Sequence, residues 1–258
     1  MTDLEESNPI KVKRIRIKQE PLLHYYSNDE QIIEIGIDEV GRGPLFGRVY
    51  TAAVILPKDD SFDHFKMKDS KKFHSKQKLI DTAEYIKQNA LYYSISYKDE
   101  KVVDEINILQ ATQQCMHQSI DDILHQLYVS VHKNNSDQNI HCQNIHCQNT
   151  SNIKLLVDGN YFNSYVRYNN SKKMLESIEH ICVEGGDNKY TVIAAASILA
   201  KVARDTYIEE LCISNPTLSE YYNIDQNKGY GAQKHIEGIK IHGITEWHRR
   251  SFGICKKY

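Results

Sequence analysis

The segment that most constrains this chain runs from Ile32 to Leu56. An apolar stretch, Ile32–Ile37, reads as a buried strand, and Val49–Leu56, rich in Val, Ile, Thr and Tyr, reads as a second. Between them stand two adjacent carboxylates, Asp38 and Glu39, and a Gly-Arg-Gly turn made of Gly41, Arg42 and Gly43. The first strand therefore delivers an acid pair to the mouth of the core. Neighbouring carboxylates repel each other, and burial penalises their charged forms. A cation at the same place would offset both effects, so this strand end is a candidate metal site.

The rest of the chain supplies a frame for that pair. Leu91–Tyr97 (LYYSISY) reads as a third strand, and three strands in quick succession suggest an antiparallel meander. A helical pattern runs from about Asp99 to Leu127, with Val103, Ile106, Leu109 and Met116 near one face. Strands over Ile153–Val157 and Ile178–Val183 follow, then a long helix over about Tyr190–Cys212. Strands first, then strands with helices, argues for an α/β fold with a mixed central sheet flanked by helices. The compact domain is expected over residues 31–258. Residues 1–30 are polar and charged without clear periodicity, so they read as an extension, disordered or loosely docked. Within them Lys11–Lys18 (KVKRIRIK) alternates like a short edge strand or a basic arm.

Residues 134–151 contain a tandem duplication, NIHCQ-NIHCQ, in an Asn/Gln-rich tract. Its His141, Cys142, His146 and Cys147 are metal-ligand types, but adjacent His-Cys pairs fit no common zinc spacing. A low-complexity surface insertion is the better reading, and its removal is expected to leave activity intact.

Composition narrows the classes further. A chain of 258 residues with 40% hydrophobic content can build a substantial core. A charged content of 26% and a mean hydropathy of -0.57 point to a soluble protein. The longest apolar run, around Val192–Ala200, is broken by Ser197 and is too short to span a bilayer. The first residues, MTDLEESNP, are acidic where a secretory signal would be basic and then apolar, so a cytoplasmic address is expected. The 6 cysteines form no C-x-x-C and read as reduced thiols. A net charge of -2 does not announce a nucleic-acid binder. The positive charge is nevertheless clustered, at Lys11–Lys18, Lys71–Lys78 and His248–Arg250. Each cluster alone is a solvated surface; together they matter only if the fold gathers them.

Two further acids resemble Asp38 and Glu39 in placement. Asp158 ends the strand that starts at Ile153, and Gly159 turns the chain. Asp187 follows a diglycine just ahead of a small-residue helix. Strand ends on one side of such a sheet share an edge, so the four carboxylates could meet there. Hard oxygen ligands suit Mg²⁺ or Mn²⁺, and two such ions about 4 Å apart would clamp an in-line phosphoryl displacement. The alternative is that each acid is a strand-end cap or turn residue, and spacing alone leaves both readings open.

Seven segments in fixed order carry a resemblance: GIDEVGRGPLFGRVYTAAVIL, DSKKFHSKQK, INILQATQQCM, LVDGN, GGDNKYTVIAAASILAKVARD, NKGYGAQKH and HRRSF. From about Ile32 to Phe252, outside 134–151, the chain resembles type 2 ribonuclease H, specifically bacterial ribonuclease HII. The resemblance implies a ribonuclease H-like fold with a C-terminal helical extension over about 214–258. It implies hydrolysis of the RNA strand of RNA–DNA hybrids and incision 5′ of ribonucleotides embedded in duplex DNA, leaving 3′-hydroxyl and 5′-phosphate ends. The family's acidic positions fall on Asp38, Glu39, Asp158 and Asp187, which implies Mg²⁺ or Mn²⁺ as cofactor, two ions with substrate bound. Gly41, Arg42 and Gly43 would sense the 2′-hydroxyl, by which a protein tells RNA from DNA. Tyr230 would stack on the neighbouring deoxyribose. Ser70, Lys71 and Lys72 would contact backbone phosphate, which positions without specifying. Lys189 and Lys201 are weaker candidates for that work, and Arg204-Asp205 reads as a structural pair.

The chain departs from the usual pattern at Phe46, Arg48, Ala232 and Ile254, none of them a carboxylate. A monomer acting on nucleic acid, without a membrane partner, is the expectation. Two other readings are a nuclease or recombinase of the same superfold without ribonucleotide preference, and a non-catalytic binding module. Retention of all four acids argues against the module, because phosphate binding favours losing them.

Overall fold

Ile33–Val40 (β1) lies at the middle of a five-stranded sheet, flanked by Val49–Ile55 (β2) on one side and Ile153–Asp158 (β4) on the other. The computed structural model describes residues 21–134, 152–169 and 173–258. Tyr92–Lys98 (β3) and Glu179–Val183 (β7) complete the sheet in the order β3-β2-β1-β4-β7. The pairs β1–β2 and β2–β3 are antiparallel, while β1–β4 and β4–β7 are parallel. The expected mixed sheet with its antiparallel meander is present. A two-stranded hairpin, Val166–Asn169 (β5) with Met174–Ser177 (β6), stands outside it. Its largely exposed residues carry little apolar periodicity, so the sequence reading missed it.

The period of two in the strands sorts their side chains between two cores. Ile35, Ile37, Ala53, Leu155 and Val157 face Glu100–Asn134 (α2), where Met116, Ile120, Ile123 and Leu127 pack. Ala52, Val54 and Leu156 face Thr191–Ser214 (α3) and Lys76–Asn89 (α1). The helix α3 sits directly on β1. A Cβ on Gly36 would stand 2.4 Å from the Val192 carbonyl carbon and oxygen, so only glycine allows this approach.

Helix α1 lies between β2 and β3, where the sequence reading expected strands in close succession. Its signals are a Ser75 N-cap and buried Leu79, Ala83 and Ile86 at helical spacing. The expected helix near 99–127 extends to Asn134 and is interrupted at Asn107, whose φ is 67°. The Asn107 side chain accepts the Gln110 N–H, restarting the helix.

Residues 21–30, expected within an extension that is disordered or loosely docked, are mostly exposed but make several contacts with the domain. Leu22 is buried, Leu23 bridges to Tyr190, and Glu34 accepts the N–H groups of Tyr26 and Ser27. Residues 1–20, with the basic Lys11–Lys18 segment, and the NIHCQ repeat lie outside the described residues. After α3 come Thr217–Tyr222 (α4), Ile224–Asn227 (α5) and Gln233–His242 (α6). They build a third core of Phe46, Ile208, Leu218, Tyr222, Ile224 and Ile239. Among the described residues no helix is long and apolar enough to cross a membrane.

Candidate active site

Parallel pairing brings the acids to one sheet edge. Ile37 pairs with Val157, so Asp38, two residues before the end of β1, and Asp158, the last residue of β4, follow side by side. Asp158 in turn pairs with Val183, the last residue of β7. Gly185, at φ 61°, then turns the chain, and Asp187 opens the short turn ahead of α3. The Gly186 N–H donates to Asp158 Oδ1 at 2.6 Å. A Cβ on Gly186 would meet Ile193 Cδ1 at 2.6 Å, so the diglycine lets the turn close onto both the helix and Asp158.

The four carboxylates feel one another. Asp38 is buried, and burial first, then Glu39 and Asp158, pushes it well above the ordinary carboxylate range. The Ser197 hydroxyl and the Glu39 N–H, at 2.7 Å, act in the opposite direction. Glu39 is raised by burial and by Asp158, against the Arg42 guanidinium 3.1 Å away. Asp187 is raised by burial, then by Asp158 and Asp69, with Lys71 and Asn188 opposing.

Each acid also has an oxygen held by a protein donor: Asp38 by Glu39 N–H, Glu39 by Arg42, Asp158 by Gly186 N–H and Asp187 by Asn188. Among the described residues no three His, Cys, Asp or Glu side chains gather closely enough to make a finished metal cage. The arrangement is a repelling cluster of hard oxygens at one edge. That donor set fits Mg²⁺ or Mn²⁺, ions that keep water or phosphate among their ligands.

The Gly-Arg-Gly turn leaves β1 beside this cluster. Gly41 has φ 92°, and a Cβ there would strike Arg204 Nε at 2.5 Å. The place of a Cβ on Gly43 is 3.5 Å from Tyr230 Cε1, so the fold brings this turn and Tyr230 together. Tyr230 is 49% exposed, with the Arg204 guanidinium 6.0 Å from its ring centre.

The remaining expected residues divide. Lys71 and Lys72 occupy a short turn capped by Asp69, whose side chain accepts the Lys71 N–H. Lys71 faces Asp187 closely enough to oppose its repulsion, and Lys72 bonds Asn188. Ser70 points inward, its hydroxyl 3.0 Å from that of Ser197, so its side chain supports the acids rather than reaching a phosphate. Lys189 is exposed, with its carbonyl taken by the Leu23 N–H. Lys201 pairs with Asp205 within α3. Arg204 therefore does not pair with Asp205: it donates to the Lys228 carbonyl at 2.8 Å and lies under Gly41 and Tyr230.

Sequence reasoning missed Ser197, which interrupts the apolar run of α3 to reach Asp38, and it read His248–Arg250 as solvated surface, whereas His248 and Arg249 are buried behind the turn. Ser197 could have been found as the lone hydroxyl in that run. Among the departures, Phe46 is fully buried and meets His248 edge-on at 5.1 Å. Arg48 lies between the rings of Tyr97 and Tyr207, at 4.0 and 4.2 Å. Ala232 is the N-cap of α6 without a capping side chain.

Comparison with known proteins gives the chain a family and a fold. The family model described as ribonuclease HII matches residues 35–159 and 148–255. A ribonuclease HII of Bacteroides thetaiotaomicron is 38% identical over 233 residues, covering 90% of this chain and 94% of its own length. The ribonuclease H2 of Pyrococcus horikoshii has a similar structure, with a TM-score of 0.59 at 21% identity over 88% of this chain and 96% of its own. Bst-RNase HIII, solved in complex with Mn²⁺, matches with a TM-score of 0.52 at 16% identity over 82% of this chain and 70% of its own. The central sheet and its flanking helices are thus a ribonuclease H-like fold.

Proposed function

The chain belongs to the ribonuclease HII family and is a ribonuclease H-type hydrolase, and from that premise we propose that it cleaves the RNA strand of RNA–DNA hybrids and incises duplex DNA 5′ of embedded ribonucleotides. The observation that carries this reading is the contact between its two halves: the Gly-Arg-Gly turn joins the acid cluster at Glu39 to the ring of Tyr230 at Gly43.

Asp38, Glu39, Asp158 and Asp187 would hold two Mg²⁺ or Mn²⁺ ions, which when bound supply the charge that activates water and stabilises a leaving 3′-oxygen. The chain's own residues do the rest. The Ser197 hydroxyl donates to Asp38, and Ser70 holds Ser197 from behind, which fixes that buried acid. Arg42 holds Glu39 in the metal-free protein and has half its side chain exposed to reach a sugar or phosphate. Gly43, having no Cβ, leaves room for a ribose to lie against the turn, where backbone groups and the Tyr230 hydroxyl meet the 2′-oxygen. Lys71, Lys72 and Lys189 provide charge for the flanking phosphates, acting on the whole duplex without reading sequence. Cleavage on the 5′ side leaves 3′-hydroxyl and 5′-phosphate ends.

The test is an incision assay on duplex DNA carrying one ribonucleotide, with Mg²⁺, with Mn²⁺ and with chelator. A single cut 5′ of the ribonucleotide, dependent on the ion and absent from the all-DNA duplex, is expected. Equal cutting of both duplexes would point instead to a nuclease of the same fold without ribonucleotide preference.

A further inference from the structure

Gly41–Gly43 and Tyr230 both lie in loops, yet a ribonucleotide can be read only if they stand at a fixed separation. What holds them is a buried dipeptide from the C-terminal segment, His248-Arg249. Arg249 gives its guanidinium to carbonyls of the turn. Nη2–H donates to Gly41 O at 2.6 Å, Nη1–H to Arg42 O at 3.1 Å and Pro44 O at 3.0 Å, and Nε–H to Gly47 O at 2.8 Å. Its backbone N–H adds Leu45 O at 2.8 Å. A buried, planar fork of donors suits such a set of acceptors, and a lysine could not reach them all.

His248 serves the other loop through a relay whose proton positions are set at both ends by the backbone. The Thr245 N–H, which can only donate, lies 2.9 Å from His248 Nδ1, so that nitrogen is an acceptor and the proton sits on Nε2. His248 Nε2–H then donates to His235 Nε2 at 3.0 Å, which leaves the His235 proton on Nδ1. His235 Nδ1–H donates to the Tyr230 carbonyl at 2.9 Å, and a carbonyl can only accept. Each link fixes the next, from Thr245 to Tyr230. Burial keeps the rings neutral, lowering His235 and bringing His248 to about 3, so the order of the relay persists at physiological pH. Phe46 fills the space between the loops, and Leu45 N–H donates to Gly229 O at 2.8 Å.

We propose that His235, His248 and Arg249 are positioning residues that hold Tyr230 and the Gly-Arg-Gly turn in register and thereby set how well an embedded ribonucleotide is recognised. This rests on the reading of those two loops as the ribose contacts. The experiment is a double-mutant cycle measured as steady-state kinetics on duplex DNA with one ribonucleotide. His235→Leu should raise KM and lower kcat/KM by about tenfold or more, while in a Tyr230→Ala background the same change should cost under about threefold. The Mn²⁺ concentration for half-maximal cleavage should not move, because the acids are untouched. His235→Asn, whose amide can still donate to the Tyr230 carbonyl, should recover most of the loss.

Wild-type kinetics in folded His235→Leu, or an equal loss with and without Tyr230, would overturn the inference alone. Wild-type kinetics for Tyr230→Ala would overturn the ribose-contact reading and the inference with it. If His235→Leu does not fold, Arg249→Lys in the same cycle carries the comparison with the same expected and refuting outcomes.

Discussion

Replacing Gly36 with alanine should damage catalysis more than it damages the fold. The new Cβ would lie 2.4 Å from the Val192 carbonyl carbon and oxygen and 2.8 Å from the Ile193 nitrogen, where ordinary contact begins at 3.4 Å. These are backbone atoms, so no side chain can rotate away. Helix α3 must retreat from β1 by about 1 Å, an overpacking that costs roughly 1–3 kcal/mol. At about 2–4 °C per kcal/mol for a chain of this size, Tm should fall by roughly 2–12 °C. Val192 lies between Asp187 and Ser197, so the retreat carries both away from Asp38 and Asp158. A misplacement of about 1 Å in a catalytic constellation can cost roughly a hundredfold in rate. The assay pairs thermal melts with kcat and the Mn²⁺ concentration for half-maximal cleavage. Gly238→Ala serves as the control, since its Cβ would meet the Tyr221 carbonyl oxygen at 2.1 Å, in the helical lobe away from the acids. It should lower Tm comparably and leave the Mn²⁺ midpoint unchanged. Wild-type kcat and Mn²⁺ midpoint for Gly36→Ala, in a protein with lowered Tm, would refute the claim that α3 sets the acids.

Three further outcomes follow from the same geometry. Asp38→Asn should abolish cleavage, retain duplex binding and raise the Tm of the metal-free protein, because it removes a charge that burial, Glu39 and Asp158 all oppose; a lowered Tm with chelator present would count against this. The acids Asp38, Glu39 and Asp187 are all raised, so the folded state holds their protons more tightly than the unfolded chain does. The penalty is absent below the ordinary carboxylate range near pH 4, grows as pH rises from there, and is complete once pH passes the raised folded-state range, so added Mn²⁺ should raise Tm at pH 7 and much less at pH 4.5, as melts in each buffer would report. Ala232→Ser should stabilise the protein by about 1 kcal/mol by giving α6 an N-cap, a gain of about 2–4 °C in Tm.

What the sequence made legible follows from how far each role reaches along the chain. The acids could be nominated because each stands at or just past the apolar part of a strand, and those places announce themselves locally at Asp38-Glu39, Asp158 and the diglycine before Asp187. The supports could not, because their partners are remote: Ser197 meets Ser70 across 127 residues, and Arg249 meets Gly41 across 208. Helix α1 is legible by period alone, through Leu79, Ala83 and Ile86 at helical spacing.

Arg204 shows the same limit on a shorter scale. Beside Asp205 it looks like half of an ion pair, but adjacent residues on a helix point to different sides. Asp205 therefore meets Lys201 one turn back, while Arg204 turns toward the Lys228 carbonyl and the underside of Gly41. Helix α3 thus carries Ser197 to the acids in its second turn and Arg204 to Gly41 and Tyr230 near its middle. The acids and the loops proposed to contact the ribose are thus braced by one helix, so a change in how α3 seats on β1 should disturb both together. A variant that alters the seat at Gly36 should therefore shift ribonucleotide preference as well as rate, whereas one at His235 should leave the acids alone.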